Sequence, residues 1–291
     1  MKRRDVEGDH AFAKCVAEQC QIFELGGLLL DKNWNFTAAV EAFELSSEEK
    51  GTPLSSLLDR SGYAENLFMS GLFAQKLNVP FYIIAHVQDE SIVRLYSVHS
   101  DHNSKQLLCS EHRKLTEDDF IRWWQEMKGT VQTKPYRKDL KDRAKSSYFD
   151  NLLESNGLKW GGNIDGYLVS DSSDASNMIA VIENRFTRKI PLNKYDPNAF
   201  YSGYNGGDYN TWLPLMKLKD RLGIPLFLMT YSHRSGEENK VGITQILGQS
   251  KTEGLQYIKD TNGAFIRPCD NIVQSVSDVK KWFEKALKRQ K

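Results

Sequence analysis

The sequence predicts a mixed α/β protein built from two diverged copies of one structural unit. Residues 10–31 and 146–165 each show an amphipathic helix pattern that leads to a Gly-Gly pair. The apolar segments 38–43 and 180–185 follow, and each contains one glutamate near its middle. These segments lack clean polar–apolar alternation, which is typical of strands covered on both faces. We therefore expect each copy to hold a mixed central sheet flanked by helices.

The signals that begin and end helices also repeat between the two halves. After a polar stretch, each half contains a helix that ends near Asn78 or Gly223, with a proline two residues beyond. An asparagine or glycine C-cap followed by proline is a helix stop with a physical cause. Buried strands are predicted next, at 81–84 and 226–229. A closing helix then completes each half, with N-caps at Thr116 and Ser277.

This repeat gives three predicted regions. The first copy spans residues 1–130, a basic linker spans 131–145, and the second copy spans 146–291. We predict that the two copies superpose, with Asp31 matched to Asp165 and Glu41 matched to Glu183.

The composition is that of a globular protein, with 40% hydrophobic and 26% charged residues. No apolar run approaches the length of a membrane helix, and we see no signal peptide. The four cysteines contain no Cys-x-x-Cys pair, so we expect a reducing, cytoplasmic location and no membrane partner. Walker, Rossmann, zincin and lipase motifs are absent from the sequence, which gives those function classes no support.

The net charge of +1 hides two basic clusters, at 134–145 and 280–291. Clustered cations can bind a phosphate backbone, although a solvated linker and a solvated helix face explain them equally well. A tyrosine-rich loop around 201–209 can stack on bases, and a surface turn is its alternative. The candidate nucleic-acid-binding residues are Lys138, Lys141, Arg143, Lys189 and Tyr204.

Three residues of the second half suggest a metal site. Glu183 lies within an apolar strand, where a carboxylate is costly unless it is paired or binds a metal. Arg185 lies two residues on, so period-2 alternation places it on the same face as Glu183. Asp165 follows a glycine pair at the end or bend of the preceding strand. Two carboxylates on adjacent strands suit Mg²⁺ or Mn²⁺, whereas the alternative is an ion pair and a turn cap.

At these residues the chain resembles the PD-(D/E)XK nuclease superfamily, whose pattern places Asp on one strand and Glu-x-Lys on the next. Asp165 and Glu183 occupy the metal-binding positions, Arg185 replaces the lysine, and Glu154 matches the acid of the preceding helix. The resemblance implies two tandem restriction-endonuclease-like cores and a Mg²⁺-dependent endonuclease. It also implies DNA rather than RNA as substrate, in a setting such as restriction or phage defence.

Arginine keeps the positive charge but cannot act as a base. The alternative is therefore a catalytically inactive nuclease-fold protein that binds DNA or a protein partner. Whether the chain forms a homo-oligomer is left open by the sequence.

In the first half, Glu18, Asp31 and Glu41 fall at the acid positions, and Phe43 falls at the lysine position. No cation lies beside Glu41 on its strand. We interpret this copy as degenerate, serving as a scaffold or as a nucleic-acid cradle.

A second candidate metal site lies in a predicted hairpin of the first half. His99-x-x-His102 and Cys109-x-x-His112 place four potential zinc ligands within fourteen residues, a spacing compatible with a structural zinc site. The alternative is that Cys109 is a small apolar residue of its strand and that the histidines lie on the surface.

Overall fold

The computed structural model describes residues 1–4, 21–129, 147–170, 177–198, 207–237, 240–257, 272–273, 278 and 281–282. Within these ranges the chain is a mixed α/β protein, which confirms the fold class at that level. No helix in the described part is both long and apolar enough to cross a membrane.

The chain divides into two compact units. Of the described residues, the first unit contains 1–4, 24–129 and 147–163, and the second contains 21–23 and those from 164 onward.

The first unit holds a mixed sheet. Its strands are β1 (Lys2–Arg3), β2 (Gln21–Leu30, from Glu24 onward in this unit), β3 (Phe36–Leu45), β4 (Phe81–Val87), β5 (Ile92–Asp101) and β6 (Gln106–Thr116). Its helices are α1 (Leu54–Ser61), α2 (Ala64–Leu77), α3 (Glu117–Lys128) and α4 (Tyr148–Ser155). Strand β3 pairs antiparallel with β2 and parallel with β4. The antiparallel strands β5 and β6 follow β4, and the short β1 pairs with the end of β3.

The second unit shows the same sequence of pairings. Its elements are β7 (Gly162–Val169), β8 (Met178–Thr187), α5 (Gly207–Leu222), β9 (Leu226–Ser232), β10 (Val241–Ser250), β11 (Gly254–Tyr257) and β12 (Ile272–Val273). Strand β8 pairs antiparallel with β7 and parallel with β9, and β10 and β11 follow in antiparallel order. The two units therefore agree in the order and direction of these strand pairings.

Strand register shows which residues of the two units correspond. The Ala39 N–H donates to Pro80 O and the Val181 N–H donates to Pro225 O, both at 2.9 Å. Ala39 therefore corresponds to Val181, and two residues on, Glu41 corresponds to Glu183, as predicted.

The predicted match of Asp31 with Asp165 is wrong. Gly27 pairs with Val40, and Gly166 pairs with Ile182, the residue that corresponds to Val40. Gly26 is therefore the first-unit counterpart of Asp165. Asp31 lies just beyond the end of β2, where its carboxylate accepts bonds from the Asn33 and Asn35 backbone and lies in an exposed turn.

The helix boundaries follow the predicted stops and caps. Asn78 ends α2 in the left-handed conformation with φ 56°, and Gly223 follows α5 with φ 65°. Thr116 caps α3, where its hydroxyl accepts the Asp119 N–H. A glycine or asparagine tolerates positive φ at low cost, which explains why the chain turns at these two positions.

Helix α4 belongs to the first unit rather than to the second copy that was predicted to start at residue 146. The reason is hydrophobic packing: Phe149 and Leu153 are fully buried in the same core cluster as Phe120 and Trp124 of α3. An ion pair between Arg4 and Asp150 at 2.9 Å adds to this attachment. The compact units are thus divided differently from the predicted copies.

Candidate active site

The two predicted metal-binding acids of the second unit lie on neighbouring antiparallel strands. Gly166 of β7 pairs with Ile182 of β8, and continuing that register by one residue places Asp165 opposite Glu183. Directly opposed residues in an antiparallel pair share a face, with their Cβ atoms roughly 4.5–5.5 Å apart. Asp165 is 7% exposed, so this is a largely buried carboxylate within β7 rather than at a strand end.

A backbone group holds the Asp165 carboxylate. Its Oδ2 accepts the N–H of Asn184 at 2.7 Å. A charge-assisted bond of this kind is stronger than a neutral one and fixes the orientation of the carboxylate. The side chain is thereby positioned against β8 at the level of Glu183.

Arg185 adds a cation on the same face. Its Nη2 lies 2.9 Å from Glu183 Oε1, with the two side chains 35% and 12% exposed. The guanidinium also lies 5.6 Å from the ring centroid of Trp212, a buried residue of α5. This contact has cation–π geometry and orients the arginine. The structure therefore brings together Asp165, Glu183 and Arg185 as predicted, and adds Asn184 and Trp212.

The corresponding position of the first unit is an ion pair. Glu41 is fully buried, and Arg3 of β1 donates to it twice, Nε to Oε2 at 2.8 Å and Nη2 to Oε1 at 2.7 Å. The Gly26 N–H also donates to Glu41 Oε1 at 2.7 Å. The interpretation that no cation lies beside Glu41 holds only for its own strand, because the cation comes from β1, 38 residues away in sequence.

Electrostatics strengthen this pair. Burial lowers the pKa of Arg3, but attraction by Glu41, and more weakly by Glu24, outweighs that effect, so the pKa is raised overall. Glu24 Oε2 lies 3.4 Å from Arg3 Nη1. Arg3 therefore supplies a permanent positive charge between two carboxylates.

The first unit has no second acid at the position of Asp165. Its counterpart is Gly26, where a Cβ atom would lie 2.5 Å from Glu41 Oε2. A larger residue at this position would therefore require the Glu41 carboxylate to move. At these two matched positions the first unit has one carboxylate, where the second unit has two.

The hairpin proposed for zinc does not gather its four residues. His99 pairs with Leu108, whereas Cys109 pairs with Val98, so the His99 and Cys109 side chains lie on opposite faces of the β5–β6 hairpin. Leu108 is exposed and Val98 buried, which marks the two faces. Within the described ranges, no group of three or more His, Cys, Asp or Glu residues is arranged to hold a metal.

Two of the three histidines of this hairpin contact other side chains. The His99 Nδ1 lies 3.1 Å from Gln75 Nε2, and the His112 ring packs 6.0 Å from Tyr82. His102 is exposed in the turn. Cys109 is partly buried, and burial raises the pKa of its thiol to about 11.

The remaining predicted site residues fall in different places. Glu154 lies in α4 and belongs to the first unit, whereas Asp165 and Glu183 belong to the second. Lys189 is exposed in the loop after β8. Glu18, Lys138, Lys141, Arg143 and Tyr204 lie outside the described residues.

Comparison with known proteins adds no family. Neither a protein-family model nor a curated protein matches this chain.

Proposed function

We propose that the second unit is the working half of a metal-dependent endonuclease that hydrolyses phosphodiester bonds, with DNA as the preferred substrate. The observation that supports this proposal is the opposition of Asp165 and Glu183 on adjacent antiparallel strands, with Arg185 on the same face. In this proposal each unit has a restriction-endonuclease-like core, and the first serves as a degenerate scaffold.

The two carboxylates fit a hard divalent cation. Mg²⁺ and Mn²⁺ prefer oxygen ligands, and Mg²⁺ commonly uses one or two carboxylates together with waters and substrate phosphate. Asp165 and Glu183 would hold the ion, and Asn184 keeps the Asp165 carboxylate oriented through its N–H. When bound, such an ion supplies charge neutralisation at the phosphate and lowers the pKa of a coordinated water.

Arg185 has a separate part in the chemistry. Its guanidinium, held by Glu183 and by the Trp212 ring, is positioned to donate hydrogen bonds to the non-bridging oxygens of a scissile phosphate. Negative charge grows on those oxygens as water adds to phosphorus and the P–O bond to the leaving sugar oxygen breaks. Because arginine stays protonated, it stabilises this charge but does not take the proton from water.

Substitution of Asp165 tests the proposal. Wild-type protein should nick supercoiled plasmid with Mg²⁺ or Mn²⁺ and should be inactive in EDTA. Asp165→Asn keeps the shape and an acceptor for the Asn184 N–H but loses the charge, so cleavage should fall by several orders of magnitude. The matched control is Asp220→Asn, an exposed aspartate of α5 whose side chain is 70% exposed. Equal activity of Asp165→Asn and Asp220→Asn would overturn the proposed site.

A second candidate is a nuclease-fold protein that binds DNA without cleaving it. The contact that favours it is the ion pair between Arg185 and Glu183, because a guanidinium at this position competes with a metal for the carboxylate. In that case wild-type protein would bind duplex DNA equally well with Mg²⁺ or EDTA and would leave the DNA intact. Metal-dependent nicking by wild-type protein excludes this candidate.

A further inference from the structure

A row of aromatic rings lies on the second unit, at the carboxyl ends of its parallel strands. We call Phe186, Tyr231 and His233 the aromatic row. The Phe186 ring is stacked with His233 at 5.1 Å and 16°, and with Tyr231 at 5.6 Å and 29°. Phe186 pairs in register with Tyr231, so both lie on the face of the sheet opposite to Glu183 and Arg185.

The exposure of this row is unusual. Among the described residues, four large hydrophobic side chains are exposed, and Phe186, at 44%, is the only aromatic one. His233 is exposed as well. An exposed aromatic ring offers an apolar surface on which a flat ligand group can pack.

The loops around the row hold its shape. The His233 N–H donates to Thr187 O at 3.0 Å, and Arg234 Nη1 donates to Lys189 O at 2.7 Å. The Glu237 carboxylate accepts from Ser232 Oγ at 2.6 Å and from the Leu192 N–H at 3.3 Å. The surface is therefore organised before any ligand arrives, which lowers the entropic cost of binding.

The charge beside the row is positive. Arg188 and Lys189 are exposed in the loop after β8, whereas Arg234, 41% exposed, is paired with Glu237 at 3.9 Å. The nearby acid, Glu237, is 17% exposed and is committed to the loop contacts above. Stacking rings next to cations match the two features of single-stranded nucleic acid, its base faces and its phosphates.

We propose that the aromatic row, with Arg188 and Lys189, is a binding surface for single-stranded nucleic acid. Bases stack on Phe186 and His233, and the two cations contact the phosphates. The role of this surface rests on the proposed function: it would hold an unpaired strand on the unit that contains the proposed metal site. Binding to the surface does not itself require cleavage.

Fluorescence anisotropy with a labelled oligothymidylate in EDTA tests the stacking contact. Phe186→Ser should weaken binding roughly tenfold or more, because a base stacked on an aromatic ring contributes about 1–3 kcal/mol to the free energy of binding. Leu247→Ser is the matched control because Leu247 is an exposed apolar residue of the same unit, at 46%, outside the row. The Leu247→Ser variant should bind the oligothymidylate with the affinity of the wild type.

A charge variant tests the phosphate contacts. Arg188→Gln/Lys189→Gln should reduce the magnitude of the slope of log affinity against log salt by about 1.4, because each of the two lost single-strand phosphate contacts contributes about 0.7. The control is Lys217→Gln/Arg221→Gln, which neutralises two exposed cations of α5 and should leave the slope unchanged.

Two results would overturn the inference. One is that wild-type protein fails to bind oligothymidylate at low salt, and the other is that Phe186→Ser and Leu247→Ser behave alike. Binding that depends on Phe186 in a protein that never cleaves DNA would sustain the inference and remove the nuclease proposal. The two ideas therefore fail independently.

Discussion

Glu183→Gln should reduce cleavage by several orders of magnitude while leaving the fold intact. The substitution removes one of two opposed carboxylates with almost no change in shape, so the metal loses a charged ligand. The fold should survive because Arg185, the partner of Glu183, is 35% exposed and keeps access to water. Initial rates of plasmid nicking in Mg²⁺ measure the first effect, and the urea unfolding midpoint measures the second.

The control for this prediction is Glu253→Gln, which neutralises an exposed glutamate of the same unit. Its cleavage rate should match that of the wild type. DNA binding by Glu183→Gln should persist, because basic residues make the phosphate contacts. Full cleavage by Glu183→Gln would remove Glu183 from the chemistry.

Arg3→Met should destabilise the protein by roughly 3–5 kcal/mol, the range for removing one partner of a buried ion pair. The variant leaves Glu41 fully buried with only the Gly26 N–H of the contacts described above, and it also removes the cation near Glu24. Glu41→Gln should cost less, because Arg3 retains Glu24 and the glutamine oxygen can still accept from Gly26. Urea unfolding followed by circular dichroism measures both variants.

The double variant Arg3→Met/Glu41→Gln measures the coupling free energy between the two side chains. It should be less destabilised than the two single variants added together, because neither charge is left alone in the core. Arg122→Met is the control, since its ion pair with Asp119 is exposed and should contribute about 0–1 kcal/mol. Additive effects, or an Arg3→Met variant as stable as Arg122→Met, would contradict a structural role for this pair.

Local rules predicted much of the fold. The stops at Asn78 and Gly223 and the cap at Thr116 depend on a few neighbouring residues, so the sequence contains their cause. Glu183 and Arg185 fall on one face because strand alternation has a period of two. The match of Glu41 to Glu183 followed from the two apolar segments, 38–43 and 180–185, that each contain one glutamate.

Other features depend on contacts that are distant in sequence. The Gly-Gly pairs at 26–27 and 161–162 suggested one alignment, but strand pairing matches Gly27 with Gly166 and so makes Gly26 the counterpart of Asp165. Arg3 lies in a two-residue strand, and nothing local indicates that it reaches Glu41. The hairpin histidines illustrate a further limit, because side-chain spacing does not show the face on which each residue lies.

The most direct measurement of the central claim is anomalous scattering from crystals of the wild-type protein soaked in Mn²⁺. We predict a manganese peak in contact with carboxylate oxygens of both Asp165 and Glu183, and no peak at Glu41, where Arg3 supplies the positive charge. The same soak of Asp165→Asn crystals should lose the peak at the second unit. A wild-type crystal with no manganese at Asp165 and Glu183, or with manganese at Glu41 instead, would contradict the assignment of the metal site to the second unit.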